Sequence, residues 1–222
     1  VSHDEAKRSV GRRAAQLVRD GMRVGLGTGS TVSHTIDALA EMDLDITCVA
    51  TSIRTELHAT GVGLTVVAAD AVDGLDIAID GADEVDPDLN LTKGGGGALV
   101  REKIVAYMAE RFVVVVDESK LVPRLGPFGT PVELLAFAPH VTAGAIAALG
   151  AREVTVRTEL SDNENVLADA RFGPIDDPVA LSAALDAIPG VVGHGIFPGS
   201  LVESVMVDGP SGERTLPRPP GR

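Results

Sequence analysis

Two charged residues bracket a run of four glycines in Lys93-Gly94-Gly95-Gly96-Gly97-Ala98-Leu99-Val100-Arg101-Glu102. Glycine costs backbone entropy, so such a run is tolerated where the chain must pass close to something else. The residues after it predict a helix with Glu102 just over one turn inside. Its helical neighbours at three and four residues are Ala98, Leu99, Val105 and Ala106, which carry no counter-charge. That makes Glu102 a candidate for chemistry. The plain alternatives are a solvated glutamate in an Arg-Glu-Lys string and a loop lysine at 93.

A second candidate is Leu75-Asp76-Ile77-Ala78-Ile79-Asp80-Gly81-Ala82-Asp83-Glu84-Val85-Asp86, where an apolar run meets four acids in seven positions. Crowded carboxylates raise one another's protonation, which suits metal binding or proton transfer to hydroxyl groups. A solvated acidic turn is the alternative, more so for Glu84 and Asp86 than for Asp80 and Asp83. A third is Gly25-Leu26-Gly27-Thr28-Gly29-Ser30-Thr31, between an expected strand and helix. Exposed amides and the positive end of a helix make this an anion cradle, unless it is only a tight turn with a Ser cap. It has serine where a dinucleotide fingerprint wants its last glycine, and it lacks the Lys-Ser/Thr of a Walker loop. Lys120, after the apolar run Phe112 to Val116, is a fourth candidate, placed where an ammonium can meet a phosphate or an enediolate.

Alternating short β-branched runs and helical patterns must position these residues. Strands are expected near Val24 to Gly27, Ile46 to Ala50, Leu64 to Ala68, Leu75 to Asp80 and Phe112 to Val116. Helical stripes lie between them, and Ser2 to Glu5 reads as a capping box before the first. This βαβ order predicts a mostly parallel sheet covered on both faces, with ligands at the carboxyl ends of its strands. The Pro- and Gly-containing stretch from Pro123 to Pro131 reads as a boundary. Beyond it the order becomes strand (132–137), helix (141–149), strand (151–158), strand (165–172), helix (178–188), strand (191–197), which is the ferredoxin-like βαββαβ pattern. Leu201 to Val207 is a further strand that suits either sheet, and the Pro-rich end, 216–222, is expected to fray.

Composition removes several function classes. A net charge of -13 argues against a nucleic-acid binder, which needs many Lys and Arg on phosphates, and only four of the nineteen basic residues are lysine. Aromatic content of 3% without tryptophan disfavours stacking platforms. No apolar run approaches a membrane span, and the chain opens without a basic-then-apolar leader. With one cysteine, Cys48, a reducing cytoplasm is expected. The five histidines form no His-x-x-x-His pair, so no histidine metal site is expected.

Five segments in this order and spacing resemble the A-type ribose-5-phosphate isomerases. They are Gly-Thr-Gly-Ser-Thr (27–31), Asp-Gly-Ala-Asp-Glu (80–84), Lys-Gly-Gly-Gly-Gly-Ala-Leu (93–99), Arg-Glu-Lys-Ile (101–104) and Gly-Val-Val-Gly-His-Gly-Ile-Phe (190–197). The resemblance spans nearly the whole chain. It implies interconversion of ribose 5-phosphate and ribulose 5-phosphate without metal or nucleotide cofactor, in a cytoplasmic homodimer or homotetramer. By position it implies that Glu102 is the proton acceptor, with Asp80, Asp83 and Lys93 catalytic beside it. It further implies that Thr28, Gly29, Ser30 and Thr31 hold substrate, that Asp80, Gly81, Ala82 and Asp83 with Lys93, Gly94, Gly95 and Gly96 line the sugar, and that Lys120 and Lys7 contact it.

The fold implied is a Rossmann-like α/β domain (1–126 with 199–222, the last strand returning to it) and a smaller ferredoxin-like α+β domain (127–198). Two other readings remain open on the glycine loop alone. One is a non-catalytic sugar-phosphate sensor, which needs no lysine and glutamate around a glycine run. The other is an aminosugar-phosphate deaminase, which would want a histidine beside the motifs. One departure stands out, since the family more often has glycine where Glu164 stands, and this puts that turn's geometry in question.

Overall fold

The computed structural model describes residues 2–219. The chain opens with α1 (His3–Ala15), begun by the expected capping box: the Ser2 hydroxyl accepts from the Glu5 amide and the Glu5 carboxylate from the Ser2 amide. There follow β1 (Arg23–Leu26), α2 (Ser30–Ala40), β2 (Thr47–Ala50), α3 (Ile53–Gly61), β3 (Thr65–Val66) and β4 (Ile77–Asp80). Two-residue strands β5 (Glu84–Val85) and β6 (Leu91–Thr92) precede α4 (Leu99–Met108) and β7 (Phe112–Asp117). Next come β8 (Thr130–Leu134), α5 (Pro139–Ala148), β9 (Glu153–Leu160), β10 (Val166–Arg171), α6 (Pro178–Asp186), β11 (Val191–His194) and β12 (Ile196–Phe197). The last two strands are β13 (Ser204–Asp208) and β14 (Arg214–Pro217). The chain divides into one unit of Val1–Gly81, Arg101–Lys120 and Ser200–Arg222, and a second of Ala82–Val100 and Leu121–Gly199. Residues 82–100, 121–126 and 199, which the sequence reading joined to the first domain, group with the second unit.

The first unit holds a seven-stranded sheet in the order β14-β13-β7-β4-β1-β2-β3, parallel except for β14. Val10 and Ala14 of α1 and Val32, Ile36 and Leu39 of α2 bury one face against Val24 and Leu26, Ile77 and Ile79, and Val113 and Val115. These strand residues are two apart, as the period of a strand requires. On the other face, Val105 of α4 packs at Gly25 of β1. β13 runs parallel to β7 from Ser204 beside Val113 to Asp208 beside Asp117, so the strand expected near 201–207 belongs to this sheet. The frayed tail is corrected in part. Leu216 and Pro217 lie in β14, paired with Val205 and Ser204. An edge strand tolerates a terminal proline because one side of it needs no donor. Residues 220–222 of that tail lie outside the described residues.

The second unit contains an antiparallel sheet in the order β11-β8-β10-β9, with α5 and α6 in the expected βαββαβ succession. Its core joins Val132 and Leu134 to Ala168, Ala170, Ile146 and Leu185. The strand expected over 191–197 breaks at Gly195, and β12 leaves to form a three-stranded sheet with β6 and β5. The reason is a backbone crossing. A Cβ on Gly195 would sit 2.1 Å from the Lys93 carbonyl oxygen, and the Lys93 amide donates to the Gly195 carbonyl at 2.8 Å. The turn questioned in the sequence keeps a left-handed conformation, with Glu164 at φ +62°. The fold is thus α/β, a mostly parallel sheet accompanied by a smaller antiparallel unit. No helix among the described residues is long and apolar enough to cross a membrane.

Candidate active site

In the first unit, the glycine loop and Asp80 meet at the carboxyl ends of adjacent parallel strands, β1 and β4. Gly27 passes so close to Asp80 that an added Cβ would lie 2.0 Å from its Oδ1. Asp80 is 3% exposed, and Oδ1 accepts from the amides of Gly81 at 2.7 Å and Thr28 at 3.2 Å. The chain then turns into α2, whose N-cap, Gly29, offers no side-chain cap. The first turn of such a helix presents backbone amides at its positive end, which suits an anion. The Thr28 hydroxyl lies within 3.0 Å of those of Thr51, Ser52 and Thr55, and Thr55 donates to the Gly27 carbonyl at 2.9 Å. Ser52 also caps α3, accepting from the Thr55 amide. Two helix N-termini and a knot of hydroxyls therefore converge beside Thr28.

Three more of the expected residues are in this unit. Gly11 of α1 packs against the first turns of α2, with the Thr31 carbonyl oxygen 2.9 Å from where its Cβ would be. Lys7 is one turn earlier on the same face of α1. Glu102 is 3% exposed and lies one turn before Val105 on the face of α4 that meets β1. Helical side chains lean toward the N-terminus, so Glu102 leans toward the helix start. Lys120 ends a short 3-10 turn, Glu118–Lys120, directly after β7. Its charge acts on Asp117. Burial would raise the Asp117 carboxyl, but hydrogen bonds from the Ser119 hydroxyl and amide, the charge of Lys120 and a hydrogen bond from His3 outweigh that and hold it below the ordinary range.

The second unit holds the remaining expected residues, Ala82, Asp83 and Lys93 to Gly96. Gly95 and Gly96 are exposed while Gly94 is buried. The Gly95 amide donates to Asp83 Oδ2 at 2.8 Å, and the Asp83 amide donates to the Thr92 carbonyl at 2.8 Å. Lys93 follows β6 and is 2% exposed, its Nζ 5.6 Å from the centre of the Phe197 ring. A desolvated ammonium over an aromatic face gains about 2 kcal/mol.

The acids read as one group are used separately. Glu84 is 2% exposed and accepts from Thr92 Oγ1 at 2.8 Å and from the amides of Gly126 at 2.9 Å and Phe128 at 2.7 Å. Asp86 accepts from the amides of Asp88 and Asn90 and from the Asn90 side chain, closing its own turn. Both are structural rather than solvated. Among the described residues no three His, Cys, Asp or Glu side chains are grouped to hold a metal ion. The sequence reading missed Thr51, Ser52 and Thr55, although Ser-x-x-Thr after a strand is a helix-cap signal. It also missed Arg157, whose contact with the glycine run spans 62 residues and leaves no local trace.

Residues 47–212 match the family described as Ribose 5-phosphate isomerase A (phosphoriboisomerase A), and residues 2–73 also match a DeoR C terminal sensor domain. The chain is 43% identical to a ribose-5-phosphate isomerase A of Bradyrhizobium diazoefficiens, with 98% of each chain covered. It superposes on a crystal structure of ribose 5 phosphate isomerase A from Neisseria gonorrhoeae with a TM-score of 0.94, 34% identity and 98% of each chain covered. A D-ribose-5-phosphate isomerase solved in complex with phospho-erythronic acid gives a TM-score of 0.94 at 37% identity, over 98% of this chain and 100% of that one.

Proposed function

The chain belongs to the ribose 5-phosphate isomerase A family, and from that premise we propose that it interconverts D-ribose 5-phosphate and D-ribulose 5-phosphate by proton transfer. A hydrogen on carbon beside a carbonyl is very weakly acidic, so a base must act together with groups that stabilise the oxyanion. Glu102 removes the C2 hydrogen of the open-chain aldose and returns it to C1 through an enediolate. Lys93 supplies positive charge to that enediolate. Asp80 and Asp83 assist ring opening and move protons between hydroxyl groups. The reaction is redox-neutral and calls for neither metal nor nucleotide.

The phosphate sits at Thr28 to Thr31, with Lys7 and Lys120 as countercharges, and its binding energy positions the reacting carbons. The observation that carries this reading is the burial of both Lys93 and Glu102 on either side of an exposed glycine pair. A structural surface loop has no use for two buried opposite charges so close in sequence. The match to a sensor domain ends at residue 73, before Asp80, Lys93 and Glu102. Leu135, Phe137 and Val141 form an exposed apolar segment of the second unit that suits a homodimer or homotetramer. The enzyme works in the cytoplasm.

Incubation with ribose 5-phosphate in heavy water containing a chelator is the test. Ribulose 5-phosphate carrying solvent deuterium at the reacting carbon is expected. Glu102→Gln keeps the shape and loses the base, so a turnover loss of about 10³-fold or more is expected. Near-normal turnover in that variant would remove Glu102 from the mechanism.

A further inference from the structure

The peptide group joining Gly94 to Gly95 is held at both ends by charged side chains. Its N–H donates to Asp83 Oδ2 at 2.8 Å, and its C=O accepts from Arg157 Nη1 at 3.2 Å. The next carbonyl, that of Gly95, accepts from the same nitrogen at 3.2 Å. In a trans peptide the C=O and N–H point in opposite directions. Turning both carbonyls onto Arg157 therefore turns the Gly95 and Gly96 amides the other way, toward the side of Asp83.

The guanidinium is itself locked. Nε and Nη2 donate to the two carboxylate oxygens of Asp169 at 2.8 and 2.6 Å, and the arginine side chain is 17% exposed. The hydrogen bonds donated to Asp169 outweigh burial and, with the charges of Asp169, Asp83 and Glu159, hold the guanidinium above its ordinary range. The remaining nitrogen is left for the two glycine carbonyls. Lysine cannot replace this arrangement, because one ammonium does not supply a two-pronged contact and two further donors in a fixed plane.

We propose that Arg157, locked by Asp169, is the positioning residue of the glycine loop. It fixes the peptides of residues 94–96 so that the Gly95 amide orients Asp83 and the Gly96 amide faces a substrate oxygen as charge develops there. This deepens the isomerase reading and rests on it. A fixed backbone donor at a developing oxyanion is worth about 10²- to 10³-fold in kcat, and a loosened loop forfeits part of that. Arg157 meets the loop at the Gly94 and Gly95 carbonyls, so the backbone carries its effect on the reaction alongside its charge on Asp83.

The test compares wild type with Arg157→Ala, Arg157→Lys and Asp169→Asn. Arg157→Ala is expected to lose roughly ten- to a hundredfold in kcat with KM changed by less than about threefold. Arg157→Lys should recover only a minor part, and millimolar guanidinium ion should restore part of the Arg157→Ala rate. Amide hydrogen exchange over residues 93–98 should quicken in Arg157→Ala without any substrate present. A kcat per folded molecule within twofold of wild type, or unchanged exchange over 93–98, would overturn the assignment. Should Arg157→Ala fail to fold, Asp169→Asn and Arg157→Lys are judged by the same two readouts. A wild-type protein inactive on ribose 5-phosphate would defeat the functional reading instead, while the exchange result would still decide whether Arg157 holds the loop.

Discussion

Two glycine segments in this protein each press against an aspartate, and they are held in place by different means. At Gly27 the contact with Asp80 joins the ends of two hydrogen-bonded parallel strands, and the loop passes directly into α2. Backbone pairing fixes both partners. At Gly95 the contact with Asp83 lies between two-residue β6 and the start of α4, where little ladder exists. There the work falls to side chains, Arg157 on the glycine carbonyls and Glu84, which accepts from Thr92 just before the run and from the amides of 126 and 128. A loop at a sheet end inherits the rigidity of the sheet, whereas a loop outside one needs dedicated side-chain contacts.

The comparison can be broken most directly at the glycines. Gly27→Ala places a methyl 2.0 Å from the Asp80 carboxyl between two fixed strands. We expect at least a hundredfold loss in kcat/KM and about 3 kcal/mol of stability, measured by steady-state kinetics and urea unfolding. Gly95→Ala meets Asp83 Oδ1 and the Phe128 ring at 2.9 Å, and that ring is 41% exposed and can give way. About tenfold is expected there. A larger effect at Gly95 than at Gly27 would refute the idea that the sheet-end loop is the stiffer of the two.

Glu84→Gln tests the side-chain dependence of the second loop. The amide retains one acceptor oxygen and turns an NH₂ toward N–H donors, so a loss of about 3 kcal/mol is expected in denaturant unfolding. A change under about 0.5 kcal/mol would mean that the segment stands without this contact.

At the sheet end, Asp117 gives a dependence on pH. Its folded-state pKa lies below the unfolded value, so the stability it contributes is present above the ordinary carboxylate pKa of about 4 and is lost as pH falls through the folded value. Asp117→Asn should flatten the decline in unfolding midpoint below about pH 4, and an unchanged acid slope would remove Asp117 as its source. The smallest effect is expected at the turn of the second unit, where Ser161, Asn163 and Asn165 donate to Glu133 and hold Glu164 left-handed. Glu164→Gly relieves that backbone and should stabilise by about 1 kcal/mol, read as a raised melting temperature.

How far the sequence could be read follows the same division. Alternation of apolar runs gave the strands of the parallel sheet and the βαββαβ order, because those periods are written in adjacent residues. The short strands at 84–85, 91–92 and 214–217 were not legible, since none of them forms an apolar run and each pairs only because a partner strand is brought alongside. The break at Gly195 escaped for a related reason, as nothing local marks the Lys93 backbone that crosses there.

By itself, the sequence determined the two glycine segments, the acids at 80 and 83, and Lys93 and Glu102 around the glycine run, all of them set by residue type and short spacing. Only the tertiary structure decided which acids are structural. Glu84 is spent on three hydrogen bonds, two of them to a segment about forty residues on. Only the tertiary structure, too, brought Arg157 and Asp169 to the glycine carbonyls. Hydrogen bonding acts over about 3 Å in space whatever the separation along the chain, so a contact made by folding leaves no spacing to read beforehand.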